Sequence, residues 1–265
     1  MRARELRYTP WVYGTKQSLE EIFSASTTLN QSPLVMQLFE PIEVFKQNSG
    51  VEPIHLQKLI NSVREPATVT LLPDLNVNNK HWTVTTDGHP NLMEFVGVYV
   101  IKQGKNQGKI KESELTGARM IKFSRMDKYP IQLNDVGQRP LVLYLSQPHS
   151  AITLRQQGEQ LKFNIELITQ ANIVDTSWDN PISEQTIIGK TSETLKKEIA
   201  KNFEDAKAKG IDLFGLEEYV YRHHYALWKQ KKSSGKPLLE QSELDHIKIK
   251  VNLNHSNTYK LHFDS

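Results

Sequence analysis

Apolar residues in the first part of the chain recur at helical spacing. Ser18 is followed three residues later by Glu21, which is the spacing of a capping box, so a helix is expected over residues 18–28. The side chains expected to form its buried stripe are Leu19, Ile22 and Phe23. This pattern predicts an N-terminal region that is mainly helical.

A second helix is predicted over residues 54–64, where apolar side chains repeat every three or four positions. Pro53 and Pro66 bracket the segment, and proline is disfavoured inside a helix. The apolar run 68–72 that follows is typical of a short strand, which we expect Pro73 to end.

The middle of the chain has the composition of strands. Residues 94–102 are rich in Phe, Val, Tyr and Ile, and the glycine-containing turn 104–108 lets residues 109–110 return as the second arm of a hairpin. Residues 161–174 alternate between apolar and polar side chains, which predicts a long strand after a turn at 156–159. Shorter strands are expected at residues 118–123, 141–145 and 151–155.

The pattern returns to helix over residues 183–210. Apolar residues at three- and four-residue steps give this helix one buried face, made by Leu195, Ile199, Phe203 and Ala206. Gly210 is well placed to be its left-handed C-terminal cap.

A further helix is expected over residues 216–229, with Val220, His224 and Leu227 on one face. Two alternating strands follow at residues 246–253 and 258–263, joined by a turn at residues 254–257.

This order of elements predicts an α+β protein with several domains. We expect antiparallel or mixed sheets, with the long amphipathic helix of residues 183–210 packed on the C-terminal sheet. The expected division has a partial, mainly helical N-terminal domain at residues 1–80, a small β-rich middle domain at 81–139 and an α+β domain at 140–265.

Composition excludes several classes of protein. Because the chain has no cysteine, it has no disulfide, no thiolate metal site and no cysteine nucleophile. Apolar residues make up 38% of the chain and charged residues 24%, which is too apolar for a disordered protein. No apolar run approaches the roughly 18 residues that a membrane-spanning helix needs.

The charge pattern gives no support to nucleic-acid binding. The formal net charge is only +3, and lysine and arginine do not form one stripe, so no nucleic-acid partner is expected. The densest basic run is at residues 229–232. Cations there complement the dipole of a helix end, which favours a solvated helix terminus over a phosphate-binding patch.

Residues that could carry chemistry have weak support in the sequence. His223 and His224 are adjacent, so on a helix their side chains point about 100° apart and cannot hold one metal ion from one face. Glu217 and Glu218 lie at a helix start, where their charge offsets the dipole. No G-x-S-x-G motif or phosphate-binding glycine loop is present. We therefore expect no catalytic residue, no metal ligand and no cofactor.

Several segments follow one another in an order that is informative when taken together. They are residues 71–73, 95–102, 111–117, 161–174, and 210–215 followed by a helix that ends in Trp228 and Lys229. From about Ile54 to the C-terminus, this order resembles the Ger(x)C family, the C-subunits of spore-germination receptors.

The resemblance implies a non-enzymatic subunit of a nutrient-germinant receptor, acting by protein–protein docking on the outer face of the spore inner membrane. Its partners would be two integral-membrane subunits of the A and B type, one of them similar to an amino-acid transporter. The family's precursors carry a signal peptide and a lipobox cysteine that receives a lipid anchor. This sequence has neither, and its N-terminal domain looks shortened, so we expect a truncated or divergent member whose full-length precursor is lipid-anchored.

The resemblance also marks four landmark residues, Asp212, Phe214, Gly215 and Trp228, for which we expect structural roles. Asp212 would cap the second helix or bond turn amides, and Gly215 would adopt a backbone conformation that side chains resist. Phe214 and Trp228 would be buried anchors, with direct partner contacts as the alternative.

Two other functions stay open from the residues alone. An apolar pocket with a few converging polar groups would favour a soluble extracellular ligand-binding or adaptor protein unrelated to germination. A flat, exposed apolar patch would instead favour the receptor subunit. An enzyme would require His149, His224 or His246 beside a carboxylate in one deep cleft.

Overall fold

The computed structural model describes residues 9–25, 38, 40–78, 92–123, 125–134, 140–174 and 182–254. The chain divides into two compact units. Unit 1 comprises residues 1–45 and 50–114, and unit 2 comprises residues 46–49 and 115–265. The division into three domains at residues 80 and 139 stays a prediction.

Unit 1 is built around an antiparallel sheet, which in the described residues has three strands in the order β3-β4-β5. These strands are β3 (Val69–Asn78), β4 (Leu92–Lys102) and β5 (Lys105–Lys111). A short pair, β1 (Trp11–Val12) with β2 (Ile54–His55), lies before the sheet in the sequence. The α-helices described in this part of the chain are α1 (Leu19–Ser24), α2 (Pro41–Asn48), whose last three residues belong to unit 2, and α3 (Leu56–Arg64).

The predicted capping box of α1 is confirmed. The Ser18 hydroxyl accepts from the Glu21 backbone N–H at 3.1 Å, and the Glu21 carboxylate accepts from the Ser18 backbone N–H at 3.0 Å. The predicted buried stripe is wrong, however: Ile22 is buried, but Leu19 and Phe23 are 67% and 62% exposed. The three side chains do share one face of the helix, but that face lines an apolar pocket, which leaves Leu19 and Phe23 exposed. The predicted continuation to residue 28 lies outside the described residues.

The expectation that Pro73 ends a strand is also wrong, because β3 continues through it to Asn78. β3 is an edge strand of its sheet, where a residue without an N–H is tolerated. The Pro73 carbonyl accepts instead from the backbone N–H of Gly14 at 2.8 Å. The predicted hairpin of β4 and β5 is confirmed, with Gln103 and Gly104 at positive φ in the turn.

Unit 2 contains a mixed sheet, with four strands in the described residues in the order β6-β7-β8-β9. The strands are β6 (Tyr129–Leu133), β7 (Leu141–Gln157), β8 (Gln160–Ile173) and β9 (Ser242–Asn254). β6, β7 and β8 are antiparallel, and β9 runs parallel to β8. The helices are α4 (Thr116–Lys122), α5 (Glu184–Ala208), α6 (Leu216–His223) and α7 (Tyr225–Ser233).

The core of unit 2 lies between α5 and the sheet. The predicted apolar face of the long helix is confirmed, since all four of its residues are at most 3% exposed. The inner face of β8 supplies the other side of this core with Leu161, Phe163, Ile165 and Leu167. The α+β class, the mixed sheet and the helix packed on it are therefore as predicted.

One predicted strand of unit 2 is a helix. Residues 118–123 were expected to be extended, but α4 covers most of them. The side-chain Oδ1 of Asn202, on α5, accepts from the backbone N–H groups of Gly117 and Ala118 at 2.7 and 3.1 Å. The residue that bonds to the first turn of α4 is therefore more than eighty positions away in the sequence. A local pattern of residues cannot predict such a contact.

Two other boundaries differ from the predictions. The strands expected at 141–145 and 151–155 form one strand, β7, with an irregularity between Ser146 and His149. The helix expected over 216–229 is interrupted at His224 (φ −138°, ψ 52°), which separates α6 from α7 and leaves His224 exposed. Neither glycine nor proline marks this break. The strand predicted at 258–263 lies outside the described residues.

Candidate functional site

The segment between α5 and α6 is held by local backbone and side-chain bonds. Gly210 has φ 68°, and the N–H groups of Gly210 and Ile211 donate to the carbonyls of Lys207 and Ala206 at 2.9 Å each. This is a Schellman motif, which uses up the last carbonyl groups of α5. The chain then turns directly into α6.

Asp212 starts α6 from within this turn. Its carboxylate accepts from the backbone N–H of Leu216 at 2.9 Å and from that of Glu217 at 2.8 Å. The residue is only 6% exposed, so both oxygens act on N–H groups that water reaches poorly. Asp212 therefore lies where a helix-capping carboxylate is needed.

Gly215 occupies the N-cap position of α6 in the left-handed conformation, with φ 72° and ψ 36°. A Cβ atom at this position would lie 2.4 Å from the Nζ atom of Lys122. The backbone angle favours glycine here, whereas the flexible Lys122 side chain could move away from an added Cβ atom.

Phe214 and Trp228 anchor the same region. Phe214 is 2% exposed and meets Phe203 of α5 edge to face, with 5.9 Å between ring centroids. Trp228 is 7% exposed, and its indole N–H donates to the Glu217 carboxylate at 3.2 Å. The four landmark residues thus lie together at the α5–α6 turn and on the two helices that follow.

An exposed aromatic surface lies directly over Trp228. Tyr225 stacks on the indole ring at 5.8 Å between centroids while remaining 55% exposed. The ammonium of Lys232 lies 4.7 Å from the centroid of the Trp228 ring, within the range of a cation–π contact. In this cluster Trp228 is buried in the fold, whereas Tyr225 and Lys232 contact solvent.

Lys231 differs from the other lysines in the basic run at 229–232. It is buried, and its ammonium donates to the carbonyl and the carboxylate of Glu159 at 2.8 Å each and to the side chain of Gln241 at 2.6 Å. The hydrogen bond and the charge of Lys231 lower the pKa of the Glu159 carboxyl. The burial of Lys231 could have been predicted from the sequence, because Lys231 lies three residues after Trp228 and therefore on the same face of the helix.

The histidines do not form a catalytic arrangement in the described residues. His223 and His224 are exposed and contact the ring of Tyr219. His246 lies 3.8 Å from the carboxylate of Asp245, but its side chain is 80% exposed. His149 lies 3.2 Å from the carbonyl of Gln147, again at the surface.

Nor do the described residues contain a group of three His, Cys, Asp or Glu side chains that could hold a metal ion. The carboxylates of Glu217 and Glu218 are engaged with Trp228 and Arg222 respectively. Within the described part of the chain, no helix has both the length and the apolar character needed to cross a membrane.

Unit 1 contains an apolar pocket of about 570 Å³. Its lining includes Trp11, Tyr13, Leu19, Ile22 and Phe23. The Tyr13 hydroxyl is buried without a hydrogen-bond partner among the described residues, and burial raises the pKa of this phenol. This pocket was not predicted, because the helical spacing of Leu19 and Phe23 indicated a closed core.

Comparisons with known proteins place these features in context. Residues 96–257 match the family model described as spore germination B3/GerAC like, C-terminal, and residues 1–77 match the spore germination protein N-terminal domain. No curated protein sequence matches the chain significantly.

The fold is similar to that in the crystal structure of the GerBC protein. The TM-score is 0.64 at 12% sequence identity, and the match covers 95% of this chain and 70% of the other. The family resemblance proposed from Ile54 onward is confirmed, and the N-terminal match extends it to residue 1.

Proposed function

The chain belongs to the GerAC-like family of spore germination proteins, and on that premise we propose that it is a non-enzymatic subunit of a nutrient-germinant receptor. The observation that carries this proposal is the family match over residues 96–257, which is more than half of the chain. The GerBC-like fold is consistent with it.

The proposed mechanism is docking to other proteins, in which no covalent bond is made or broken. The landmark residues Asp212, Phe214 and Trp228 support this hypothesis, because their side chains are buried and shape the fold. His149, His224 and His246 lie at the surface, and among the described residues none of the three shares a deep cleft with a carboxylate. A scaffold with exposed surfaces and a rigid interior is suited to assembly.

The proposed partners are the two integral-membrane receptor subunits of the A and B type. The proposed place of action is the outer face of the spore inner membrane, with a lipid anchor on the full-length precursor. These assignments rest on the family as a whole.

A deletion strain tests the proposal. Spores that lack the full-length protein are expected to lose the response to at least one nutrient germinant and to regain it when the wild-type gene is restored. Normal responses of the deleted spores to every nutrient germinant would sink the proposal.

Histidine variants separate docking from catalysis in the same strain. Full-length genes carrying His149→Ala, His224→Ala or His246→Ala are each expected to restore germination as well as wild type, because no bond chemistry depends on them. A tagged full-length protein should also retain the A- and B-type subunits from detergent-solubilised spore membranes. Loss of germination in a histidine variant that still retains both subunits would contradict the non-enzymatic role.

A second candidate function is binding of a small apolar molecule by the same subunit. The pocket of unit 1 favours it, since its volume of about 570 Å³ is in the range of small-molecule sites and its lining is largely apolar. Membership of the germination family removes the earlier alternative of a protein unrelated to germination. Quenching of Trp11 fluorescence by an apolar nutrient, absent in a Trp11→Phe variant, would support this function.

A further inference from the structure

Strand β7 extends well beyond its neighbour β6. β6 pairs with β7 only over residues 141–145, whereas β8 pairs with β7 as far as Gln157. Over residues 151–157, β7 therefore has a strand neighbour on one side only among the described residues. Half of the backbone hydrogen-bonding groups of an edge strand point away from its sheet.

The free edge of residues 151–157 is also accessible. Each of its side chains is exposed or half-buried, including the half-buried Ile152 and Leu154. The last hydrogen bond from β7 to a described helix comes just before it, where the Ser150 hydroxyl donates to the Ile121 carbonyl at 3.0 Å. Among the described residues, no helix forms a hydrogen bond with residues 151–157.

The other long edge strands carry features that prevent pairing with a further strand. β9 alternates exposed charges along its length, from Glu243 and Asp245 to Lys248 and Lys250. β3 contains Pro73 and an irregularity after Asp74. Prolines, bulges and charges of this kind are the usual protection of sheet edges.

The edge of β7 carries much less of this protection. Residues 151–157 contain no proline and no acidic residue, and the single charged side chain is Arg155. Its pairing with β8 is regular from His149 to Gln157. Such an edge is a template for another strand.

We propose that residues 151–155 pair antiparallel with the same residues of a second copy of this chain, about a twofold axis at Thr153. This register places Ile152 opposite Leu154 on the sheet face that carries Ile165 and Phe163. Two such apolar pairs form, since an interface with twofold symmetry contains each contact twice.

The register also keeps like charges apart, because each Arg155 lies opposite Ala151 of the other copy. Moving the axis to residue 152 or 154 would leave one apolar pair, at the axis itself, and would place Leu154 opposite Ser150 or Ile152 opposite Gln156. A half-step would turn the apolar residues to the wrong face. The pattern of side chains therefore favours this register for two identical strands.

Pairing of two short edges buries less area than a standard protein interface, so the dimer is expected to be in concentration-dependent equilibrium with the monomer. Sedimentation equilibrium of the full chain, over a series from low to high micromolar concentration, measures this directly. The apparent mass of the wild-type chain is expected to rise towards twice the monomer mass. A monomer mass at every concentration would overturn the proposal.

Charge at the proposed axis tests the register. Thr153→Lys and Thr153→Asp each place two like charges opposite each other, so each variant alone is expected to lose the dimer. An equal mixture of the two variants restores an opposite-charge pair and is expected to regain it. Thr153 is exposed, so neither substitution disturbs a packed side chain.

Ile168→Lys is the matched control. Ile168 lies on the same face of the sheet as Thr153. It belongs to β8, which has a strand neighbour on both sides, and it is 46% exposed. This variant is expected to dimerise as wild type does, and circular dichroism confirms that all variants are folded. The proposal is overturned if the control loses the dimer as Thr153→Lys does, if the Thr153 variants dimerise normally, or if their mixture stays monomeric.

Discussion

At the scale of single residues, Asp212 shows how a side chain can cap the helix that begins a few positions after it. Its carboxylate binds the N–H groups of Leu216 and Glu217, both within five residues. These two partners are local, so a cap at Asp212 could be predicted from the sequence. Gly215 is similar, because its left-handed angle belongs to the same short turn.

Asp212→Ala is expected to lower the free energy of unfolding by about 1–2 kcal/mol, because two N–H groups at the start of α6 lose their acceptor. Urea unfolding of the full chain, followed by circular dichroism, measures the change. The exposed Asp205 on α5 provides the control, and Asp205→Ala should change stability by less than about 0.5 kcal/mol. Equal effects of the two variants would contradict the capping role.

Lys231 shows the limit of prediction at this scale. The basic run 229–232 was predicted to be a solvated helix end, yet the Lys231 ammonium is buried against Glu159 and Gln241. Glu159 lies 72 positions away, in the turn between β7 and β8, and nothing near Lys231 in the sequence indicates that partner.

The lowered pKa of Glu159 predicts a stability effect that depends on pH. A carboxyl whose pKa is lower in the folded than in the unfolded chain stabilises the fold above the unfolded pKa, and this stabilisation is lost as pH falls through the folded pKa. Glu159→Gln should therefore lower the melting temperature at neutral pH, and the gap from wild type should close in acid.

Thermal melts from neutral pH into acid, in the wild-type chain and in a Lys231→Met variant, test the Glu159 prediction. In a Lys231→Met background, Glu159→Gln is expected to have no pH-dependent effect, because the partner that lowers the pKa is gone. A gap that persists at low pH would show that Glu159 acts through something other than its charge.

At the scale of elements, α4 was predicted as a strand because its own residues suit either state. Its helical form depends on α5: Asn202 binds its first turn, and Gly117 lets the two backbones approach. A Cβ atom on Gly117 would lie 2.5 Å from the Ile199 Cα atom. Such tertiary contacts override a local propensity, whereas α5 was predictable because its own apolar stripe is long and regular.

Gly117→Ala is expected to destabilise the chain by about 3 kcal/mol, because the added methyl group meets the backbone of α5, which has little room to shift. Gly189→Ala is the matched control within α5. Nothing lies within 4 Å of a Cβ atom there, so alanine should stabilise the helix by about 0.5–1 kcal/mol. Urea unfolding measures both variants, and a shift of the same sign in both would contradict the close-approach argument.

At the scale of the whole molecule, the order of helices and strands was enough to recognise the family and the α+β class. The division into units was harder to predict, because unit 2 includes residues 46–49 from the first fifth of the chain. The Ser49 hydroxyl accepts from the backbone N–H groups of Asp127 and Lys128 at 3.2 and 3.1 Å. No periodic pattern in the sequence reveals a four-residue contribution of this kind.

The place of Ser49 in unit 2 has a consequence for synthesis on the ribosome. Residues 46–49 emerge early, yet Asp127 and Lys128 follow only after 78 and 79 further positions, and β9 comes later still. Every residue of unit 1 up to Glu114 is therefore translated before the partners of Ser49 exist. Synthesis from the N-terminus lets unit 1 fold first, while residues 46–49 have no partners from unit 2 yet. Pauses in translation after residue 114 would therefore delay the folding of unit 2 only.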